Sequence, residues 1–268
     1  MGGKGPPNGV SKAKSVEAKS KAMAVKAPKA PKTVSPGKGG SGGARRGGYF
    51  WGSLLAVLFL CAAYFGIGHE SQFVFDEGVM AEVSRAALKV HAVEGGGAPD
   101  PRVVAKEVHR MLYARYPKWV RDPELPDLWL FNNAGGAMGS MTILHASLSE
   151  YVILFGTAVG TEGHTGRFLA DDYFTILHGE QWAQSTAQPF VREVYRPGDQ
   201  HHLAFGETKH YKMPGECWAL EYARGNILSM MPFGLFDTMF STVDVYTMYI
   251  TARETLKGFL GHLLMGKV

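Results

Sequence analysis

The chain has 268 residues, room for one domain of ordinary size plus appendages, and its 28 Lys and Arg against 24 Asp and Glu give a net charge of +4. A hydrophobic content of 46% is ordinary for a globular protein, which confines any membrane character to a local segment. Its two cysteines, Cys61 and Cys217, fall in segments of different kind, which excludes a disulfide-stapled fold.

Residues 1–48 are mostly Lys, Ala, Gly, Pro and Ser, with nine lysines and two arginines against Glu17 alone. Such a segment cannot bury enough surface to fold, so a disordered basic tail is expected. The tail could bind nucleic acid. Next to a membrane helix its plainer reading is a topology signal that also touches anionic lipid, so no nucleic-acid partner is expected. "YFWGSLLAVLFLCAAYFGI" carries no charge and at 1.5 Å per residue is about as long as a bilayer core. The run before it is too long and too charged for a cleaved signal peptide, so residues 49–68 are expected to be a transmembrane signal anchor. The charge excess then places the tail in the cytosol and everything after Ile67 across the membrane.

Residues 69–126 read as a helical collar. "DEGVMAEVSRAALKVH" puts Val79, Val83, Ala86, Ala87 and Val90 at helical spacing. A second helix is capped by Asp100, opened by Pro101 and stopped by Pro117, with Val104, Val108, Met111 and Leu112 on its apolar face. From residue 127 to 228 the pattern changes to seven short apolar or alternating runs split by Gly, Pro and polar clusters, expected to form a small antiparallel barrel or sandwich. Residues 229–268 return to helical spacing with Phe233, Phe236, Phe240 and Val243 on one face. Gly258 and Gly261 are expected to break any single span, leaving an amphipathic pair on the membrane or across the barrel mouth.

The chemistry-bearing residues are ordered by strand parity. In "SEYVILFGT", Tyr151, Ile153 and Phe155 share one face while Glu150, Val152 and Leu154 share the other. Asp172, Phe174 and Ile176 share a face of the next strand, and Glu221 groups with Cys217, Ala219 and Ala223. An acid flanked by "CWAL" and "YA" is either a structural ion pair, with Arg224 for instance, or a carboxylate inside an apolar lumen. In the second case burial raises its pKa, and a second carboxylate raises one of the two further, so that the pair holds a proton at neutral pH. Glu150, Glu162 and His164 are expected to make structural hydrogen bonds at the barrel rim. "PGDQHHLAFGE" has the flavour of a cupin turn, but His201 and His202 are adjacent on a strand and point to opposite faces, which argues against their chelating one metal ion.

Long blocks then carry a family resemblance. "NNAGGAMGSMTILHASLSEYVILFGTAVGTEGHTG", "ADDYFTILHG", "PGDQHH" and "MMPFGLFDTMFSTVDVYT" resemble the C-8 sterol isomerases, and the same blocks with "QFVF" resemble their non-enzymatic relative, the sigma-1 receptor. The resemblance covers nearly everything from about Tyr49 onward and leaves out the basic tail. It implies a mainly β fold with flanking helices: an N-terminal transmembrane helix, a cupin-like β-barrel, and two C-terminal amphipathic, membrane-associated helices over its mouth. It also implies an endoplasmic reticulum location, a homo-oligomer (a trimer in the receptor), no metal or organic cofactor, and cationic amphiphilic amines as inhibitors. The receptor's amine-binding glutamate falls on Glu221, and its lining positions fall on Met141, Tyr151, Ile153, Phe155 and Phe233. Its second acid falls, without gaps, on Phe174; Asp172 lies two residues earlier on the same face. The isomerases carry "ADDYFTIL" as this chain does, a departure that favours enzyme over receptor.

The reaction so implied moves a sterol double bond from Δ8 to Δ7 through protonation at C9, a cation at C8 and loss of a C7 proton. Glu221 and Asp172 are the expected catalytic acids, with aromatic faces such as Tyr151 and Phe155 beside the cation. The alternative is an amine- and sterol-binding membrane protein of the sigma kind without catalysis.

Overall fold

The computed structural model describes residues 43–93 and 95–268, apart from the side chains of residues 43–48 and 50–52. Up to residue 42 the expected tail lies outside the described residues; its remainder opens helix α1 (Gly43–Gly66), which therefore starts ahead of the expected Tyr49. From Ser53 onward α1 exposes an apolar surface that includes Leu55, Leu58, Phe59 and Leu60. No helix among the described residues is long and apolar enough to cross a membrane, so the described part of the expected 49–68 anchor does not by itself make a span. The chain divides into residues 1–49 and a unit of residues 50–268 that holds every later element.

Helix α2 (Glu77–Val90) is capped by Asp76, whose carboxylate accepts the Val79 N–H at 2.9 Å. It buries Met80, Ser84 and Ala87 and leaves Val90 exposed, a stripe rotated from the expected one. The cause is tertiary: Glu77 pairs with Arg224, which pins the first turn to the sheet and brings the Met80 stripe inward. Helix α3 (Pro101–Arg115) follows expectation, with Asp100 accepting from Arg102 N at 2.8 Å and Val104, Val108 and Leu112 buried.

The strands among the described residues are β1 (Leu130–Ala134), β2 (Ala137–Ala146), β3 (Glu150–Thr157), β4 (Thr161–His164), β5 (Ala170–His178), β6 (Gln181–Ser185), β7 (Glu193–Tyr195), β8 (Gln200–Leu203), β9 (Lys209–Met213) and β10 (Cys217–Gly225). They form two antiparallel sheets, one of six strands ordered β1-β2-β3-β10-β5-β8 and one of four ordered β4-β9-β6-β7. Strands β4 and β6 are absent from the seven runs seen in the sequence, because short edge-like segments such as "TEGH" and "QWAQS" carry little apolar alternation.

The six-stranded sheet is buried on both faces, which is why β3 is buried at every position. One face packs Val152, Leu154, Tyr173, Leu220 and Tyr222 against α2 and α3. The other packs Tyr151, Ile153, Phe155, Phe174, Ala219 and Ala223 toward the second sheet. A β-bulge between Ile143 and His145 resets the parity of β2, so that Ala146 faces inward opposite Tyr151.

After β10 come α4 (Met231–Asp237), a π-helical turn at Thr238–Thr242, and α5 (Val245–Leu264). The expected breaks at Gly258 and Gly261 do not occur; α5 runs through both. The chain instead bends at Val243, a β-branched residue held at φ 54°. Gly258 serves a different need, because a Cβ there would sit 2.8 Å from that of Ala146 on β2.

Glu150 corrects a further expectation. It is structural, as anticipated, but it lies fully buried under the helical collar and not at the rim. Its carboxylate accepts from Val74 N at 2.8 Å, Phe75 N at 3.0 Å and Tyr222 Oη at 2.7 Å, and Lys267 Nζ lies 2.9 Å away. Glu150→Gln should therefore strand a buried ammonium and destabilise the protein by about 3–5 kcal/mol in chemical unfolding, while Lys267→Met, which leaves the three neutral donors, should cost less. Equal, small losses for both would show that the ion pair does not hold this junction.

Candidate active site

All eight sequence-predicted site residues line one cavity of about 500 Å³ between the two sheets: Met141, Tyr151, Ile153, Phe155, Asp172, Phe174, Glu221 and Phe233. Cross-strand register explains how they meet. Glu221 on β10 stands opposite Ile153 on β3 and Phe174 on β5, and Ala223, one inward position along, stands opposite Asp172. Glu221 and Asp172 are thus diagonal neighbours on one face, within reach across a sheet. The next inward row pairs Met141, Phe155 and Ala219. Phe155 lies so close over Gly139 that a Cβ there would come within 2.6 Å of the ring, which is why this position of β2 carries no side chain. Phe155 and Phe174 meet edge-on at 6.1 Å.

No basic side chain among the described residues pairs with either acid. The structural alternative for Glu221 fails, because Arg224 emerges from the opposite face of β10 and binds Glu77 and the Tyr173 hydroxyl, the latter at 2.9 Å. Burial raises the pKa of Glu221 well above the usual carboxylate range, and the neighbouring Asp172 raises it further. Burial likewise raises Asp172, whose Oδ1 has no hydrogen-bond partner among the described residues. The pair therefore retains a proton where an exposed carboxylate would have lost it.

The helices close the mouth. Phe233 on α4 packs edge-on against Phe168 at 5.4 Å, and α5 sends Thr255 and Phe259 into the cavity. His262 of α5 bonds the Ala146 carbonyl at 2.7 Å, tying the lid to β2. The outer side of the lid stays apolar, with Phe240, Tyr246 and Leu264 exposed.

Glu162 and His164 both make structural contacts, as expected, but His164 also lines the cavity. Glu162 pairs with Lys212 and His210 on the exposed edge, and His164 accepts from Gly166 N at 2.9 Å. His201 and His202 do point apart: His202 stacks on Tyr173 outside and His201 lines the cavity. Sequence reasoning missed Gln181 and Tyr211, and weighed His201 only as a metal ligand; all three are on the cavity wall. Burial, then Glu221 and Asp172, raise the pKa of the Tyr211 phenol, which places it in the field of both acids. The alternation "KHYKM" carries a signal for Tyr211; nothing local marks Gln181.

Among curated proteins the chain is similar to the C-8 sterol isomerase of Pyricularia oryzae, 47% identical over 74% of this chain and 86% of that one. It is also similar to C-8 sterol isomerase ERG2 of Gibberella zeae, 44% identical over 80% of this chain and 88% of the relative. Sigma non-opioid intracellular receptor 1 of Danio rerio is 47% identical over 56% of this chain and 66% of its own. Among solved structures an RmlC-like cupin from Shewanella frigidimarina matches 40% of this chain and 90% of that one, at 12% identity and a TM-score of 0.33. The family model described as ERG2 and Sigma1 receptor like protein matches residues 52–267, and the chain belongs to that family.

Proposed function

We propose that the protein is a C-8 sterol isomerase that moves a ring double bond from C8–C9 to C7–C8. The observation that carries this reading is a pair of half-buried carboxyl groups whose pKa values desolvation raises, with no counter-cation among the described residues, in an apolar cavity sized for a single ligand. The fungal relatives named C-8 sterol isomerase support it, since the matches span most of both chains.

The chemistry balances on the pair. One carboxyl, kept neutral by burial, gives its proton to C9 and becomes a carboxylate. The resulting C8 cation has no heteroatom to lean on, so the new carboxylate and the faces of Tyr151, Phe155 and Phe174 offset its charge. The other carboxylate removes a C7 proton, and the C7–C8 double bond forms. The pair ends with one proton, now on the second acid, and exchange with solvent resets it. The lid of α4 and α5 keeps water from capturing the cation.

Turnover in D2O should place deuterium at C9 of the product; a product without it overturns the protonation route. Glu221→Gln and Asp172→Asn keep the shape of the cavity and should each lower turnover about 10²-fold or more. Glu221→Gln should also lose affinity for sterol-sized amines, which mimic the cation. Full amine affinity with no turnover in the unaltered protein would favour the second reading, a sigma-type binding protein, which the receptor relative supports.

The raised carboxyl pKa values also predict a pH-dependent stability. An exposed carboxyl titrates near 4. In the folded state the pair titrates higher, so its contribution is full below that pH and is lost as pH rises through the folded values. Relative to the unaltered protein, Glu221→Gln and Asp172→Asn should therefore gain stability between pH 5 and pH 8, by at least about 1 kcal/mol each. Parallel stability curves would show that neither group is held protonated.

The same reading places the protein in the endoplasmic reticulum membrane, with α1 as a single-pass anchor, residues 1–48 cytosolic and the β unit lumenal. The one-sided charge excess and the exposed apolar surface of α1 support this. In sealed microsomes the β unit should resist added protease while the tail is digested; the opposite pattern reverses the topology.

A further inference from the structure

Two polar side chains on the cavity wall have no task in the reaction just described. His201 on β8 and Gln181 on β6 are each only 3% exposed, and His201 Nε2 and Gln181 Oε1 have no hydrogen-bond partner among the described residues. Leaving such atoms dry and unpaired costs stability, so two orphaned polar atoms, on residues of one cavity wall, call for a ligand group. They belong together. Gln181 stands directly opposite Tyr195 on β7, and the Tyr195 ring stacks on His201 at 4.6 Å. Beneath them Tyr195 donates to Glu193 at 2.7 Å, and Glu193 pairs with the buried Lys209 at 2.9 Å. That network fixes the Tyr195 ring against which His201 is held.

The centre is neutral. Burial and the Lys209 ammonium lower the pKa of His201 to about 4, so at physiological pH its ring offers one N–H and one lone pair. A neutral imidazole and an amide oxygen suit a hydroxyl group, which accepts from one and donates to the other. They suit neither an amine nor a carboxylate, which would leave charge uncompensated.

Its position relative to the acids decides which hydroxyl. The sheet register sets Glu221, Phe174 and His201 in one row on β10, β5 and β8. Two strand spacings separate the ends of that row, about 10 Å. His201 stands beside Phe174 on β5 and two strands from Glu221 on β10, which makes the two polar centres distinct. In a sterol, the ring hydroxyl on C3 lies about 6 Å from C8 and C9, given carbon–carbon bonds of about 1.5 Å. With a hydrogen bond of about 2.8 Å at the hydroxyl end and an approach of about 3 Å at the alkene end, the ligand spans roughly 12 Å between side-chain atoms, comparable with the backbone separation of the row.

We infer that His201 and Gln181 form the subsite that binds the sterol's C3 hydroxyl and so sets the register of C8 and C9 against Glu221 and Asp172. The inference rests on the isomerase reading for its substrate. It orients the ligand along the row, ring A toward β8 and the alkyl side chain toward β3 and the lid helix α5.

The test compares a Δ8 sterol with its 3-deoxy analogue, through the ratio of their kcat/KM values. A site built to bond a hydroxyl discriminates strongly against its absence. The unaltered protein should prefer the alcohol by about 10- to 100-fold, and His201→Leu and Gln181→Leu should each bring the ratio to within about threefold of one. His201→Gln, which keeps a donor and an acceptor, should retain part of the preference. A variant that merely folds less well lowers both substrates and leaves the ratio intact; an intact ratio in both leucine variants overturns the assignment. Equilibrium binding of the same two compounds, run in parallel, needs no turnover. If the unaltered protein turns over neither compound yet binds the alcohol preferentially through His201, the isomerase reading fails and the subsite stands. If binding shows no preference, the subsite fails whatever the rates.

Discussion

Two carboxyl groups share one apolar cavity with no cation among the described residues to neutralise them, and much of the architecture follows from tolerating that. A fully ionised pair there would cost several kcal/mol per charge, so the fold holds Glu221 and Asp172 only because at least one can stay protonated. The basic groups that would quench them are kept on the other side of the same sheet. Arg224 is three residues from Glu221, yet β10 turns it outward to Glu77; Lys267 is buried, yet against Glu150 on the outer face of β3. Period-2 alternation thus sorts the sheet into a side where charges are paired and a side where they are not.

That sorting needs two covers. Helices α2 and α3 make the outer face of the sheet dry, and the second sheet with α4 and α5 does the same for the inner one. The outer ion pairs brace the helices that keep water from one face, while the inner acids stay at high proton affinity because the lid keeps water from the other. In the proposed reaction the two functions are coupled: loosening the lid would lower the pKa of the acids and admit the nucleophile that traps the cation.

Much of this was legible in the sequence because it depends on parity. The placement of Tyr151, Ile153 and Phe155 on one face, of Asp172 with Phe174, and of Glu221 with the small residues around it is a property of strands alone; Met141 and Phe233 come from the family resemblance only, and the structure brings all eight residues into one cavity. What was not legible depends on partners remote in sequence. The burial of Glu150 is set by Lys267 and by the backbone entering α2, neither of which its own strand reveals. The turn of α2 about its axis is set by Arg224. Gly258 looked like a helix breaker but is a contact glycine, since its helix is held by packing on Ala146, and the bend fell instead at Val243. His201 was noticed and judged only as a metal ligand. Its unpaired nitrogen is visible only once Tyr195 and Gln181 stand beside it.

The arrangement of polar groups along the cavity also bears on how a ligand arrives. His201 lies at the β8 end, the acids in the middle, and the wall given by α5 is largely apolar, Met248, Ala252, Leu256 and Phe259, with Thr247, Thr251 and Thr255 between them. The outer surface of the lid continues that apolar character through Phe240, Tyr246 and Leu264. A sterol has one polar atom at one end, so the inferred orientation threads that end through the apolar mouth first and leaves the hydrocarbon end under the lid. In water such a path would strip the hydroxyl of its hydration early and repay it only at the end. From a bilayer the hydrocarbon loses nothing on transfer, and the single hydrogen-bonding group is exchanged once, for His201 and Gln181. If the proposed membrane location holds, an apolar lid surface and a neutral polar centre at the far end of the cavity are two halves of one solution to moving a nearly insoluble alcohol.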